Sequence, residues 1–309
     1  MSTIFSNYRL QTEDGHSIPV YEWLPQGDTI AVLHIAHGLA EHAQRYTRAA
    51  RFFNAHGIAV YAHDHRGHGD AVSSEEDLGY SGEDSFIKKV NDLRFLLKLD
   101  REKHVGKKIF LLGHSMGSFI SQYFFQHYGN EIDGLILSAS NGVADPLLTI
   151  GIALAKMDAR IFGKRHKSKL LDKLTFGKYN DAFKPSQTPH DWLSRDSQEV
   201  KKYVDDSKSG YLVSSQLYYD FFRGLRSIFS AQHISQIPKN VPVYIFAGDK
   251  DPVGLQGKGV IRLYENWKNA GASDIQYKLY PGGRHEMLNE INRDEVLKDC
   301  LDWILAHSQ

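Results

Sequence analysis

Short runs of branched and large apolar residues alternate along the chain with longer stretches whose apolar positions recur on a helical period. The short runs predict strands at Ser17 to Trp23, Thr29 to Ile35, Gly57 to His63, Ile109 to Gly113, Gly134 to Ser138, Val243 to Ala247 and Ile275 to Tyr280. The longer stretches predict helices at Arg45 to Ala55, Asp84 to Lys103, Met116 to Tyr128, Val260 to Ala270 and Arg293 to His307. Strand and helix in alternation is the signature of an α/β fold, a mostly parallel central sheet flanked by helices. The alternation fails once, between Asp145 and Ile234, where aromatic, basic and polar residues mix over a length too great for a plain connection. That stretch reads as an inserted, mainly helical cap (145–234) on a core made of 1–144 and 235–309.

Size does not choose between one α/β domain with an insertion and two domains, since 309 residues allow either. Basic and acidic residues balance at 37 each, so no net field favours nucleic acid or an anionic surface. The basic run Lys164–Lys169 is local and reads as a solvated loop. One cysteine, Cys300, excludes an internal disulfide framework. The first ten residues lack the apolar core of a signal peptide, and the longest apolar stretch, Pro146 to Ala155, falls well short of the roughly 20 residues that span a bilayer. The expectation is a cytoplasmic protein, in contact with membrane at most peripherally.

Candidate chemistry enters at Gly113-His-Ser-Met-Gly117, a serine between two glycines after a strand-like run and before a helix-like one. A strand turning into a helix in so few residues strains the turn residue and needs small flanking residues, which is the geometry of a nucleophile elbow presenting Ser115. A serine hydroxyl needs a base, and the base needs a carboxylate to fix its tautomer. Gly248-Asp-Lys-Asp251 places two carboxylates, Asp249 and Asp251, at the end of a predicted strand, and His285 lies in a glycine-rich loop before the last helix. The order Ser, Asp, His is that of α/β-hydrolases. The oxyanion of the tetrahedral intermediate needs two amide donors. Met116, at a helix N-terminus, supplies one, and Leu39, in the loop His37-Gly-Leu-Ala-Glu-His42 after an early strand, can supply the other.

Taken together, His37–His42 continuing into Arg45-Tyr46, Asp64-His-Arg-Gly-His-Gly69, Gly113–Gly117, Gly248–Asp251 and Gly283-Arg-His285 resemble the monoacylglycerol lipase and lysophospholipase branch of the α/β-hydrolases over nearly the whole chain. The resemblance implies a serine esterase acting on a monoacyl lipid through an acyl-enzyme, without cofactor or metal. It implies a triad of Ser115, Asp251 and His285, with Asp249 a turn residue. Leu39 and Met116 would form the oxyanion hole, with His37, Gly38, Gly113, His114 and Gly117 as supports. The chain departs from the pattern at Ala40, where many relatives carry a second glycine, and in the cap, where only Ser194-Arg-Asp196 and Tyr218–Leu225 look familiar. Tyr211, Leu212, Tyr218, Tyr219, Phe221, Phe222, Leu225 and Ile228 suit an acyl chain, though most would serve equally as ordinary cap core, and the cap could meet micelles or bilayers.

Other readings compete. A short-chain carboxylesterase would use the same triad. A serine aminopeptidase would also need a carboxylate-lined cap pocket, for which Asp205 and Asp206 are available. A non-enzymatic binding module would ordinarily have lost part of the triad. His63-Asp-His-Arg-Gly-His68 superficially matches a zinc motif, but Gly67 stands where the aspartate would be required. A structural role for Asp64 and Arg66 in neighbouring turns is the better expectation. Oligomeric state is open.

Overall fold

A computed structural model describes residues 3–309. The elements are β1 (Ile4–Gln11), β2 (Ser17–Leu24), β3 (Ala31–Ala36), α1 (Thr47–Asn54), β4 (Ile58–His63), α2 (Ser85–Lys103), β5 (Lys108–His114), α3 (Met116–Tyr128) and β6 (Gly134–Ser138), then α4 (Leu148–Phe162), α5 (Lys169–Phe176), α6 (Ser197–Asp205), α7 (Ser215–Ile228) and α8 (Ala231–Ile234), and finally β7 (Val243–Gly248), α9 (Lys258–Asn269), β8 (Ile275–Tyr280) and α10 (Arg293–Ala306). The eight strands form one sheet in the order β1-β2-β4-β3-β5-β6-β7-β8. Pairing is parallel from β4 to β8 and antiparallel only at the β1, β2 end.

The parallel centre explains the uninterrupted apolar runs. β3, β4, β6 and β7 are buried at every position because helices cover both faces. On one face α1 and α10 set Ala50, Phe53, Leu297 and Ile304 against Leu33, Val60 and Ile136. On the other, α2, α3 and α9 pack Leu93, Leu97, Ile120, Phe124 and Leu263 against Val32, Leu111 and Leu137. β1 is a strand that the hydrophobic pattern does not predict. It is an edge strand with one neighbour and mostly exposed side chains, so Ile-Phe-Ser-Asn-Tyr-Arg-Leu-Gln carries no alternation. α1 is shorter than expected, because Arg45 and Tyr46 lie in a preceding 3-10 turn and direct their side chains inward.

Between β6 and β7 the chain is helical, its sole β-contact being the bridge of Lys167 to Ser214. Side-chain caps begin α5 to α8: Ser168, Asp196, Ser214 and Ser230 each accept a hydrogen bond from an amide of the first turn. α7 packs against α4 and also against α2 and α3 of the core. It comes close because Gly224 lies on the Phe86 ring, where a Cβ would sit 2.4 Å away. Among the described residues no helix is long and apolar enough to cross a membrane.

The Asp64 segment is structural in form. Asp64 accepts hydrogen bonds from the amides of Ala43 and Asp70 and from the Tyr21 hydroxyl, while Arg66 pairs with Asp14 and Asp92. A row of imidazoles runs beneath it: His34 Nδ1 faces Asp100 at 2.6 Å, His34 Nε2 faces His63 Nδ1 at 3.0 Å, and His63 Nε2 faces His65 Nδ1 at 3.1 Å. Among the described residues no cluster of His, Cys, Asp or Glu could hold a metal ion.

Burial holds His63, His65 and His68 well below the ordinary imidazole range and takes His37 to about 3 and His114 to about 4. These five stay neutral in the folded chain, whereas in the unfolded chain they protonate near pH 6.5. Below that pH the unfolded state therefore binds more protons, and each group removes about 1.4 kcal/mol of stability per pH unit. The urea midpoint should fall steadily from pH 7 to pH 5, and His65→Gln should flatten that slope by about one proton. A midpoint constant over this window would mean that the imidazoles protonate in place.

Candidate active site

β5 ends at His114 and α3 begins at Met116, so Ser115 alone makes the turn, at φ 51 and ψ −118. This left-handed, strained conformation is held by its surroundings. The Ser115 amide donates to Ser138 O at 3.0 Å, and the amide and hydroxyl of Ser118 both donate to Ser115 O. The flanking glycines serve contact rather than torsion. A Cβ on Gly117 would lie 2.1 Å from Ala36 O, and one on Gly113 would lie 2.6 Å from Gly117 O.

The two candidate carboxylates have different surroundings. Asp249 accepts the Gly282 amide at 2.7 Å and ties the turns after β7 and β8 together. Asp251 is fully buried, accepts the Val253 amide at 2.9 Å and lies 2.9 Å from His285 Nδ1. His285 sits between the rings of His114 and Trp192, at centroid distances of 4.9 and 4.8 Å. Burial opposes its protonation, but the Asp251 charge and hydrogen bond, helped by Glu286 and Glu41, outweigh that and raise its pKa above the ordinary value. With Nδ1–H directed at Asp251, Nε2 is left as an acceptor.

In the loop after β3, Gly38 N donates to Glu41 Oε1 at 2.5 Å, and His37 Nδ1 donates to Gly38 O at 2.7 Å. The neutral His37 ring also accepts the His65 amide on Nε2 at 2.9 Å. Ala40 is left-handed, at φ 53, a conformation that glycine adopts without strain. Its carbonyl accepts the Gly210 amide and the Tyr203 hydroxyl, which fasten the loop to the helical segment between β6 and β7. His42 reaches the same segment through Asp206 at 2.8 Å, and His114 Nδ1 lies 3.1 Å from Ser138 Oγ. Neither the Leu39 nor the Met116 amide donates a hydrogen bond among the described residues.

Ser115, Leu39, Gly38, His114 and His285 open into one cavity of about 500 Å³. Its far walls come from the segment between β6 and β7: Phe176, Trp192, Leu193, Tyr203, Tyr211, Leu212, Val213 and Tyr218. Here the structure divides the residues that the sequence leaves open between acyl-chain contact and cap core: Tyr211, Leu212 and Tyr218 line the cavity, whereas Tyr219, Phe221, Phe222, Leu225 and Ile228 do not. Phe221 packs tilted against Phe86 and edge-on against Phe119, and Ile228 is buried in the main core, because α7 turns that face onto α2 and α3. Phe176, Trp192, Leu193 and Val213 were not singled out because they lie in turns and short helices without a clear period. Asp205 and Asp206 also lie off the cavity: Asp205 pairs with Lys201, and Asp206 bonds His42 and Ser209. The carboxylates that do line it are Glu41, Asp172, Asp181 and Glu286.

Residues 27–292 match the Hydrolase_4 family, described as serine aminopeptidase, S33. The chain is 30% identical over 297 residues to a monoacylglycerol lipase of Mycolicibacterium smegmatis, covering 93% of each chain. It is 27% identical over 301 residues to the monoglyceride lipase of Homo sapiens, covering 96% of this chain and 89% of that one. A highly thermostable carboxyl esterase from Bacillus coagulans, solved in complex with glycerol, superposes with a TM-score of 0.91 at 26% identity over 99% of both chains. A soluble variant of monoglyceride lipase from Saccharomyces cerevisiae, at 20% identity, shares the fold with a TM-score of 0.77 over 100% of this chain and 96% of that one. The elbow, the eight-stranded sheet and these similarities agree, and the chain belongs to the Hydrolase_4 family of α/β-hydrolases as a serine ester hydrolase of the monoacylglycerol lipase-like kind.

Proposed function

We propose that the protein hydrolyses monoacyl lipids, monoacylglycerols or lysophospholipids, through an acyl-enzyme on Ser115. The observation that carries this reading is that His285, held by the buried Asp251, opens into the same cavity as the strained Ser115. His285 Nε2 takes the Ser115 proton as Oγ attacks the ester carbonyl, and Asp251 holds the imidazole and stabilises its cation. The amides of Leu39 and Met116 receive the oxyanion. His285 then protonates the leaving alcohol, and a water activated by the same ring releases the fatty acid. A cavity of about 500 Å³ suits one acyl chain with its head group better than a triacyl lipid. The segment 145–234 acts as the cap that forms this cavity, and the names of the relatives point to the same substrate class.

One observation favours a second reading. Asp172 lines the cavity, accepts a hydrogen bond from Tyr218 and makes no ion pair among the described residues, so it could face a substrate ammonium in an aminopeptidase. Burial raises its pKa, a cost to the anion that such a reading requires.

The cap also carries an apolar stripe. Leu147, just before α4, and Ile150, Met157 and Ile161 along one face of it are each more than half exposed, as are Leu170 and Leu174 on α5. Lys156, Arg160, Lys169 and Lys173 are exposed around them. In this reading the stripe rests on a lipid surface and delivers the substrate to the cavity.

Fatty-acid release from monoacylglycerols, lysophospholipids, short acyl esters and aminoacyl amides tests the substrate assignment. Long-chain monoacyl lipids should be turned over best, and preference for aminoacyl amides would replace the lipase reading with the peptidase one. Ser115→Ala and Asp251→Asn should each lower kcat by about 10⁴, whereas Asp249→Asn should stay within about tenfold of the parent. Ile150→Glu with Ile161→Glu should weaken sedimentation with phosphatidylcholine vesicles by roughly tenfold or more, with hydrolysis of a soluble short ester unchanged. Unaltered sedimentation would remove the stripe from the lipid contact.

A further inference from the structure

The loop bearing Leu39 follows β3, and the loop bearing His285 follows β8. Three strands, β5, β6 and β7, lie between them in the sheet, a separation of about 19 Å at the usual strand spacing. The backbone ladder therefore does little to fix one loop relative to the other. A buried ion triad bridges the gap. Arg45 Nη1 donates to Glu41 Oε2 at 2.6 Å and to Glu286 Oε1 at 2.7 Å, and Arg45 Nη2 donates to Glu286 Oε2 at 2.8 Å. Glu41 uses its other oxygen to accept the Gly38 amide and the Tyr46 hydroxyl. Glu286 directly follows His285, and its amide donates to Leu193 O at 2.7 Å. Tyr203, whose hydroxyl holds Ala40 O, lies under the guanidinium, 4.8 Å from ring centroid to Cζ.

Both carboxylates are nearly fully buried, at 3% and 5% exposure for Glu41 and Glu286. Burying three charges is a poor way to gain stability, and a well-packed apolar cluster would serve the fold at least as well. One guanidinium against two carboxylates also leaves a surplus negative charge beside His285.

We propose that Arg45 is a positioning residue: with Glu41 and Glu286 it locks the oxyanion-hole loop to the loop of the general base, and the triad's surplus negative charge stabilises the imidazolium of His285 as it forms. The inference rests on the triad assignment made above. The ionisable groups facing His285 are Asp251 from the loop after β7, Glu286 from its own loop, Glu41 and Arg45 from the loop after β3, and His114 from the end of β5. Trp192 packs against the ring as an uncharged neighbour. Asp251, Glu286 and Glu41 all favour the protonated ring, so removing the charge of Glu286 takes away part of that support.

The test is the pH dependence of kcat/KM, with rates expressed per serine titrated by a fluorophosphonate, in wild type, Glu286→Gln, Arg45→Met and Arg45→Lys. Glu286→Gln keeps the shape and an acceptor for Arg45, and its acid limb should move to lower pH. Arg45→Met should lower kcat per titrated serine by about ten- to hundredfold with KM within about threefold, and Arg45→Lys should recover part of the loss. If Glu286→Gln leaves the acid limb in place, or if the Arg45 variants lose only titratable serine and retain full kcat per site, the triad is structural and the inference fails. A Ser115→Ala enzyme that retains activity would instead overturn the underlying assignment of the nucleophile, a result distinguishable from either.

Discussion

Everything at the site depends on one close approach of backbone to backbone. Where β5 passes into α3, Gly117 lies so near the carbonyl of Ala36 that no side chain fits between them. That contact seats the N-terminus of α3 directly against the end of β3 and leaves Ser115 no relaxed conformation. The strain is local, but the buried sheet around it is rigid enough to hold it. The same approach brings the loop after β3 beside the serine, with Ser115 Cβ 3.3 Å from where a Cβ on Gly38 would lie.

The helical segment between β6 and β7 is more than a cover over this site. Its stretch from Asp191 to Gly210 is hydrogen-bonded to both loops that bear the candidate machinery. Gly210 and Tyr203 hold Ala40, while the carbonyls of Trp192 and Leu193 accept the amides of His285 and Glu286. Arg284 adds bonds to the carbonyls of Asp191 and Ser194, and Arg195 pairs with Glu290. By contrast, α4 and α5 present exposed apolar side chains and border the cavity through Asp172 and Phe176. One part of the segment thus belongs mechanically to the core, and the other faces outward.

Much of this is legible in the sequence where chemistry forces residue type. The parallel strands announce themselves because they are buried on both faces, and the elbow because strain and steric exclusion demand glycine, serine and glycine in order. Asp251 and Asp249 are harder to tell apart from their spacing, because both follow the same strand; the family resemblance favours Asp251, and in the fold it is Asp251 that reaches His285 while Asp249 reaches Gly282. β1 escapes notice because an exposed edge strand needs no apolar alternation. The cavity wall is the least legible part. α7 has the amphipathic face expected of a substrate-facing helix, yet that face is spent on the core, and Trp192 and Val213 reach the cavity from irregular backbone that carries no period.

The row of imidazoles under the site has a consequence of another kind. Where His34 donates to Asp100 from Nδ1 and accepts on Nε2, His63 donates to it from Nδ1 and His65 in turn to His63, so the three rings share one tautomer. None of the three can reverse alone. His37 is fixed separately: the His65 amide donates to its Nε2, which leaves the Nδ1 proton for the Gly38 carbonyl. The row therefore has two separate anchors, the Asp100 carboxylate for the three rings and the His65 amide for His37, and the second one reaches the loop carrying Leu39. The peptide that bears the Leu39 amide thus takes its orientation, through one ring, from another peptide.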